Sequence, residues 1–413
     1  MTMHKLTLAM IVKNEAPNIE ECLRSVVKYI DYYVIADTGS TDNTKEIIKT
    51  FFDSHGIKGE ILDHPWEDFG TNRSKVLKHC HGITEWALMI DADDYIQGEL
   101  PSVDTFDKTI DGYVVKIARG PMIWYRAQIF NLAKKLWWYE EPLHEYSCCE
   151  QPMNVKKLEG NYSWFVRTQG CRSRQVNNDR EKYARDYFLL KTYLEKDPNQ
   201  ARKQFYAAQS AFDAQLFEVA EKEYLKRTEM GQWPEEVFYS WIRIGICREI
   251  MNRPLNEVAD AFLQAHEARP NRAEALYHLS CVYRKYNRPR NAFLISSQAL
   301  TLPLQNDDIL FVDHSVYQWG ILDEIATTAF YVGKIHMGLA ACEKLLAEPY
   351  LPDEHRERIK NNRTVYLKAI EEMQKQQLGP AIEKQQQVEE NVKKIVNQTT
   401  FSKPLTDLQA VKL

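Results

Sequence analysis

Over its first 118 residues the chain alternates short apolar runs with amphipathic segments, and no other feature narrows its fold as much. TLAMIV (7–12), YYVIAD (32–37), GEILD (59–63), WALMID (86–91) and GYVVKIA (112–118) read as buried strands. Helical patterns separate the first four, over about 18–28, 42–52 and 72–79. This rhythm predicts an α/β fold, a Rossmann-like and mostly parallel sheet with helices on both faces. Ligands then belong at the carboxyl ends of the strands.

From about Asp179 long helical segments take over, with no convincing strand. Four of them, 204–227, 240–270, 275–303 and 322–349, share one plan: a helix with aromatic and small residues, a short turn, and a second helix opening near Ala220, Ala259, Ala292 or Ala340. These alanines stand 39, 33 and 48 residues apart. The spacing scatters about the roughly 34 residues of tetratricopeptide repeats, which this all-α part resembles. Stacked repeats leave a concave surface for a partner or substrate. The expected organisation is an α/β domain over 1–180, a repeat domain over 181–370, and a Gln-, Lys- and Glu-rich tail over 371–413, part frayed helix and part flexible.

A net charge of −5 gives no electrostatic reason to expect a nucleic-acid partner. The eight cysteines form no CxxC pair, which points to free thiols in a reducing compartment. No run approaches the roughly 20 apolar residues of a spanning helix, and the short apolar run near the N-terminus reads as a strand rather than a leader. The expectation is a cytoplasmic protein with no transmembrane segment.

The string ALMIDADDYI (87–96) ends a buried strand in three acids, Asp91, Asp93 and Asp94. Such acids repel one another unless a cation or hydrogen-bond donors stand opposite. Hard oxygen ligands suit Mg²⁺ or Mn²⁺, and Mg²⁺ takes few protein carboxylates and completes its shell with phosphate oxygens. A diphosphate-bearing substrate is implied. A second strand ends in Asp37, before a Gly-Ser-Thr-Asp turn in which Asp42 can cap the next helix. That leaves Asp37 to accept a hydrogen bond from a base imino group or a ribose hydroxyl.

AMIVKNEAPNIEECLRSV, VIADTGSTDNT, PWEDFGTNRSKVL and LMIDADD, in this order and spacing, resemble the nucleotide-sugar half of family 2 glycosyltransferases with the GT-A fold. The resemblance covers residues 5 to 100. It implies sugar transfer from a nucleoside diphosphate donor, with UDP the expected nucleotide, and inversion at the anomeric carbon. By that resemblance Asp37 reads the nucleobase and Arg73 lies near it. Main-chain groups from Val12 through Asn14 to Glu15 line the base pocket. Asp91, Ala92 and Asp93 form the DxD stretch: Asp91 faces ribose or metal, Asp93 ligates Mn²⁺ or Mg²⁺, and Asp94 stands behind them. His144, in PLHEY, is a candidate third metal ligand.

An inverting transfer requires a carboxylate to take the acceptor's proton. Glu145 is the first candidate, with Glu141 and then Glu140 behind it. Arg172 and Arg174, on a stretch that also holds Arg167 and Gly170, suit a diphosphate. The relatives' histidine before this stretch is missing here. The acceptor class, a glycan, a protein or peptide, or a lipid-linked saccharide, stays open. The competing reading is a non-catalytic scaffold whose repeats bind a protein partner, but a scaffold needs none of Asp37, Arg73, Asp91 and Asp93.

Overall fold

The computed structural model describes residues 3–141, 143–167, 170–171 and 178–398. Strands β1 (His4–Val12), β2 (Tyr32–Asp37), β3 (Lys58–Asp63) and β4 (Thr84–Met89) lie parallel in the order β3-β2-β1-β4. Helices α1 (Ile19–Val26), α2 (Thr44–His55) and α3 (Phe69–Cys80) connect them.

The period-2 alternation of β1 decides which layer each residue enters. Leu6, Leu8, Met10 and Val12 join the core that holds α1 and α2, through Ile19, Leu23, Val26 and Phe52. Ala9 packs on the opposite face with Val76 and Leu77 of α3. Each fully buried aliphatic or aromatic side chain contributes about 1.5–3 kcal/mol, so register is fixed by both faces at once.

Beyond β4 the sheet turns mixed. β5 (Tyr95–Gly98), β6 (Gly112–Arg119), β7 (Met122–Asn131) and β11 (Tyr162–Phe165) continue it in the order β4-β7-β6-β11-β5. β7 is antiparallel to both β4 and β6. β8 (Trp137–Glu140) and β9 (Tyr146–Cys149) form a separate hairpin, and β10 (Val155–Lys157) pairs with β6. The strand expected over 86–91 stops early, since pairing of β1 with β4 ends at Ala9 and Met89. The chain then turns, with the Asp94 amide donating to the Asp91 carbonyl at 3.0 Å.

The helical part begins with α4 (Asp179–Lys196), followed by the antiparallel pairs α5 (Ala201–Asp213) with α6 (Phe217–Glu229), α7 (Pro234–Ile250) with α8 (Leu255–Ala268), and α9 (Glu274–Lys285) with α10 (Pro289–Ala299). Ala220, Ala259 and Ala292 are buried in the second helix of each pair, as a repeat requires. The long interval between the first two reflects the 17-residue α7, against 12 residues in α9, which occupies the next interval.

The chain divides into two compact units, Met1–Ile321 and Leu322–Leu413. In the second, α11 (Ile321–Thr328) supplies most of its length, and α12 (Ile335–Ala347) packs on α13 (Asp353–Gln398). Here Ala341 is buried and Ala340 exposed, one residue off the repeat register read from sequence. α13 continues through Gly379 and Pro380. The surrounding Gln, Lys and Glu are strong helix formers, and their summed propensity offsets the lost main-chain hydrogen bond. Among the described residues no helix is long and apolar enough to cross a membrane.

Candidate active site

The order β2-β1-β4 sets three carboxyl ends side by side. At the first, Asp37 is buried, and its Oδ1 accepts from the amides of Gly39 at 2.8 Å and Ser40 at 2.7 Å. Gly39 takes a φ of +105°, which brings its amide back onto the carboxylate. The other oxygen, Oδ2, is buried with no hydrogen-bond partner among the described residues. Asp42 accepts from the Thr44 amide at 3.1 Å, so the start of α2 is served without Asp37.

The loop after β1 is stitched to the same turn. Asn14 adopts a φ of +51°, its amide donates to Ser40 Oγ at 2.9 Å, and its Oδ1 accepts from the Thr41 amide at 2.6 Å. The Val12 carbonyl accepts from both the amide and the hydroxyl of Thr38. Glu15 is buried; its Oε2 accepts from Asn18 Nδ2 at 2.8 Å and its Oε1 from the Cys171 amide. The 12–15 stretch thus lies beside Asp37, with its Val12 carbonyl engaged by Thr38.

Beyond β4 the three acids meet three different environments. Asp91 pairs with Arg73 Nη2 through Oδ1 and stands 3.7 Å from Arg126 Nη2 through Oδ2. Burial works against its charge, but Arg73 and Arg126 outweigh it and hold the carboxyl below the usual range. Asp93 lies against Gly170, where a Cβ would collide with Asp93 Oδ2 and stand 3.3 Å from Glu15 Oε1. Asp94 accepts from Trp164 Nε1 at 3.0 Å, and burial together with Asp91 pushes its carboxyl well above the usual range. Ala92, between them, is buried.

Arg73, on the buried face of α3, ties the site together. Its Nη1 stands 2.6 Å from Glu145 Oε1, and its guanidinium lies over the rings of Phe69 and Tyr139. The first base candidate and the first acid of the DxD stretch thus share one arginine. Glu141 instead pairs with Lys203 Nζ at 2.6 Å, and Glu140 accepts from Tyr146 and Trp138. His144 stacks on Tyr206 with ring centroids 4.2 Å apart. Among the described residues no three His, Cys, Asp or Glu side chains form a set that could hold a metal ion, so Asp91, Asp93 and His144 are not gathered as a triad. Arg167 pairs with Glu21 at 2.5 Å, and Arg172 and Arg174 lie outside the described residues.

Arg126 was not among the residues singled out from sequence. It sits on β7 beside Asp91, with its Nε buried and lacking a hydrogen-bond partner among the described residues. The one signal for it is a cation in the middle of the strand-like run MIWYRAQIFN.

Residues 7–138 match the family model "Glycosyl transferase family 2". The SPbeta prophage-derived glycosyltransferase SunS of Bacillus subtilis is 33% identical over 115 residues, 28% of this chain and 24% of SunS. An uncharacterized glycosyltransferase, RP128, of Rickettsia prowazekii is 31% identical over 98 residues, 24% of this chain and 31% of that protein. The chain thus spans less than a third of these relatives' length. Among solved structures, MamA aligns with 44% of this chain and 95% of its own at a TM-score of 0.34 and 15% identity. YrrB, described as a TPR protein with an unusual peptide-binding site, aligns with 44% of this chain and 84% of its own at a TM-score of 0.34 and 17% identity. The matched segment holds Asp37, Arg73, Asp91, Asp93 and Arg126 but stops short of Glu141, His144 and Glu145, so the similarity to glycosyl transferase family 2 extends over residues 7–138 of this chain.

Proposed function

We propose that the chain is an inverting glycosyltransferase that moves a sugar from a nucleoside diphosphate, with UDP the first candidate, to a glycan, a protein or peptide, or a lipid-linked acceptor. The observation that carries this reading is the pairing of Arg73 with both Asp91, just past the carboxyl end of β4, and Glu145, with Asp37 at the carboxyl end of β2 on the same edge of the sheet. The unpartnered Oδ2 of Asp37 suits a base imino group or a ribose hydroxyl, with Oδ1 fixed by two amides. Asp91, held between two guanidinium groups, orients the ribose end of the donor. Arg126, with Arg172 and Arg174, supplies positive charge for the diphosphate. Glu145 is the base that takes the acceptor's proton, and Glu141, paired with Lys203, is the second candidate.

The donor set fits a hard divalent ion held by few protein oxygens. Asp93, with Asp91 beside it, would hold Mg²⁺ or Mn²⁺ without His144, which is not gathered with them and stacks on Tyr206 instead. Such an ion offsets the negative charge that grows on the departing diphosphate. The eight cysteines include no CxxC pair, which supports a reducing compartment, the cytoplasm.

A thermal-shift screen of UDP-, GDP- and TDP-sugars with and without Mn²⁺ tests the reading. One donor is expected to raise the melting temperature only with the ion present, and Asp93→Ala to lose that shift. Glu145→Gln is expected to keep donor binding while turnover drops by about 10²–10⁴-fold, the usual contribution of a positioned base. No metal-dependent shift with any donor, together with stable capture of a protein partner, would replace the enzyme with the scaffold.

A further inference from the structure

Lys203 and Tyr206 sit on α5, the helix that opens the first repeat pair, yet both reach residues beside the base candidate. Lys203 Nζ stands 2.6 Å from Glu141 Oε1, with both side chains largely buried. Tyr206 stacks on His144 at an interplanar angle of 10°. Arg202, on the same helix, lies over the rings of both Tyr146 and Tyr206, at 4.8 and 4.9 Å. Leu143 is buried in a cluster with Leu190 and Leu194 of α4 and Ala207 of α5.

Glu141 and His144 both take left-handed backbone conformations, with φ of +77° and +55°. Side-chain-bearing residues keep such conformations only where their surroundings over-determine them. On the sheet side, Gly70 of α3 lies so close to the Glu141 carbonyl that a Cβ would collide with it. Tyr139 is anchored through its amide to Ser74 Oγ at 2.8 Å. α3 and α5 therefore grip these residues from two sides, and Glu145, the next residue after His144, is delivered onto Arg73.

Resting on the reading of Glu145 as the base, we propose that α5 belongs to the catalytic apparatus: Lys203 and Tyr206 are positioning residues that hold Glu141 and His144 so that Glu145 meets Arg73. The helical array is then more than an acceptor platform. Its first helix completes the reacting end of the site while the donor end, built on α2, α3 and the strand ends, stands without it.

Two kinds of variant test this in the full-length protein. Lys203→Met removes the ion pair and Tyr206→Ala removes the stack, whereas Lys203→Arg and Tyr206→Phe keep the charge or the ring. In the first pair kcat is expected to fall about 10- to 100-fold, as expected when a reacting group moves by about an ångström, with donor KM and the nucleotide thermal shift within about twofold of wild type. The conservative pair is expected to recover most of that loss. Hydrogen–deuterium exchange gives a readout independent of turnover. Amides from Leu143 to Tyr146 are expected to exchange faster in Lys203→Met and Tyr206→Ala and not in the conservative pair. Unchanged exchange there in a folded Met or Ala variant overturns the proposal, as does a parallel loss of donor binding. Should wild type turn over no donor, the functional reading of the site fails while exchange still decides the clamp: faster exchange supports it and unchanged exchange refutes it.

Discussion

Asp91, Asp93 and Asp94 are one letter repeated, and the fold gives each a different chemistry: a carboxylate between two arginines, a carboxylate under Gly170, and a buried group bonded to an indole. Charge is managed the same way at Asp111, just before β6. Burial raises its carboxyl, but hydrogen bonds from Lys134, the Asn154 amide and Lys135 outweigh that and lower it. A depressed folded-state value means stability that is present above the unfolded value of about 3.9 and lost as pH falls through the folded value. Asp111→Asn is expected to cost on the order of 2 kcal/mol at pH 7, where its lysine partners are only partly exposed, and the gap to wild type is expected to narrow as pH falls below the unfolded value of about 3.9. Urea unfolding of both proteins at pH 7 and pH 3 measures it; an equal gap at both would refute the ion-pair account. The cluster 91–94 was legible from sequence because acids at a strand's end are rarely idle. The partners that set each acid's role were not, since Arg126 and Trp164 come from strands far along the chain.

Elements that carry their own periodicity were readable. β2 runs over Tyr32–Asp37 as the apolar pattern requires, and α4 opens at Asp179, where Asn178 Oδ1 accepts from the Glu181 amide at 2.9 Å. β7 and the β8–β9 hairpin were not anticipated, because Arg126, Gln128 and the paired tryptophans blur any alternation. Packing between elements also singles out small residues. Gly245 of α7 faces Phe262 of α8, and a Cβ there would lie 2.6 Å from the ring. Alanine is the better helix former by about 1 kcal/mol, but overpacking a filled core costs about 1–3 kcal/mol. Because the Phe262 ring is fully buried and has nowhere to retreat, the steric cost wins. Gly245→Ala is therefore expected to lower the melting temperature by a few degrees, measured by calorimetry; a rise would mean that the two helices part without penalty.

Within the first unit the helical array is bound into the sheet. After α10 the chain returns to the sheet, and β12 (Val312–Asp313) pairs antiparallel with β7. Glu235 of α7 accepts from the amides of Ile309 and Leu310, the Ile309 carbonyl accepts from the Tyr125 amide at 2.9 Å, and Phe311 packs on Trp124, Phe205 and Tyr239. Sheet and helices of this unit are thus expected to unfold in one cooperative step. Far-ultraviolet circular dichroism and tryptophan fluorescence should give coincident denaturation curves in the wild type, and Glu235→Ala, which strands one buried and one half-buried amide, should shift the midpoint downward. Separate midpoints in wild type would refute the coupling. By itself the sequence determined the α/β start, the helical continuation, and the acids at the carboxyl ends of β2 and β4, because strand and helix periods and strand-end polarity are local properties. Only the tertiary structure decided that Arg73 joins Asp91 to Glu145, that Arg126 faces the same acid, and that Lys203 and Tyr206 hold Glu141 and His144. Those pairings span 18 to 72 residues of chain, and the apolar burial that folds sheet and helices together brings them within reach.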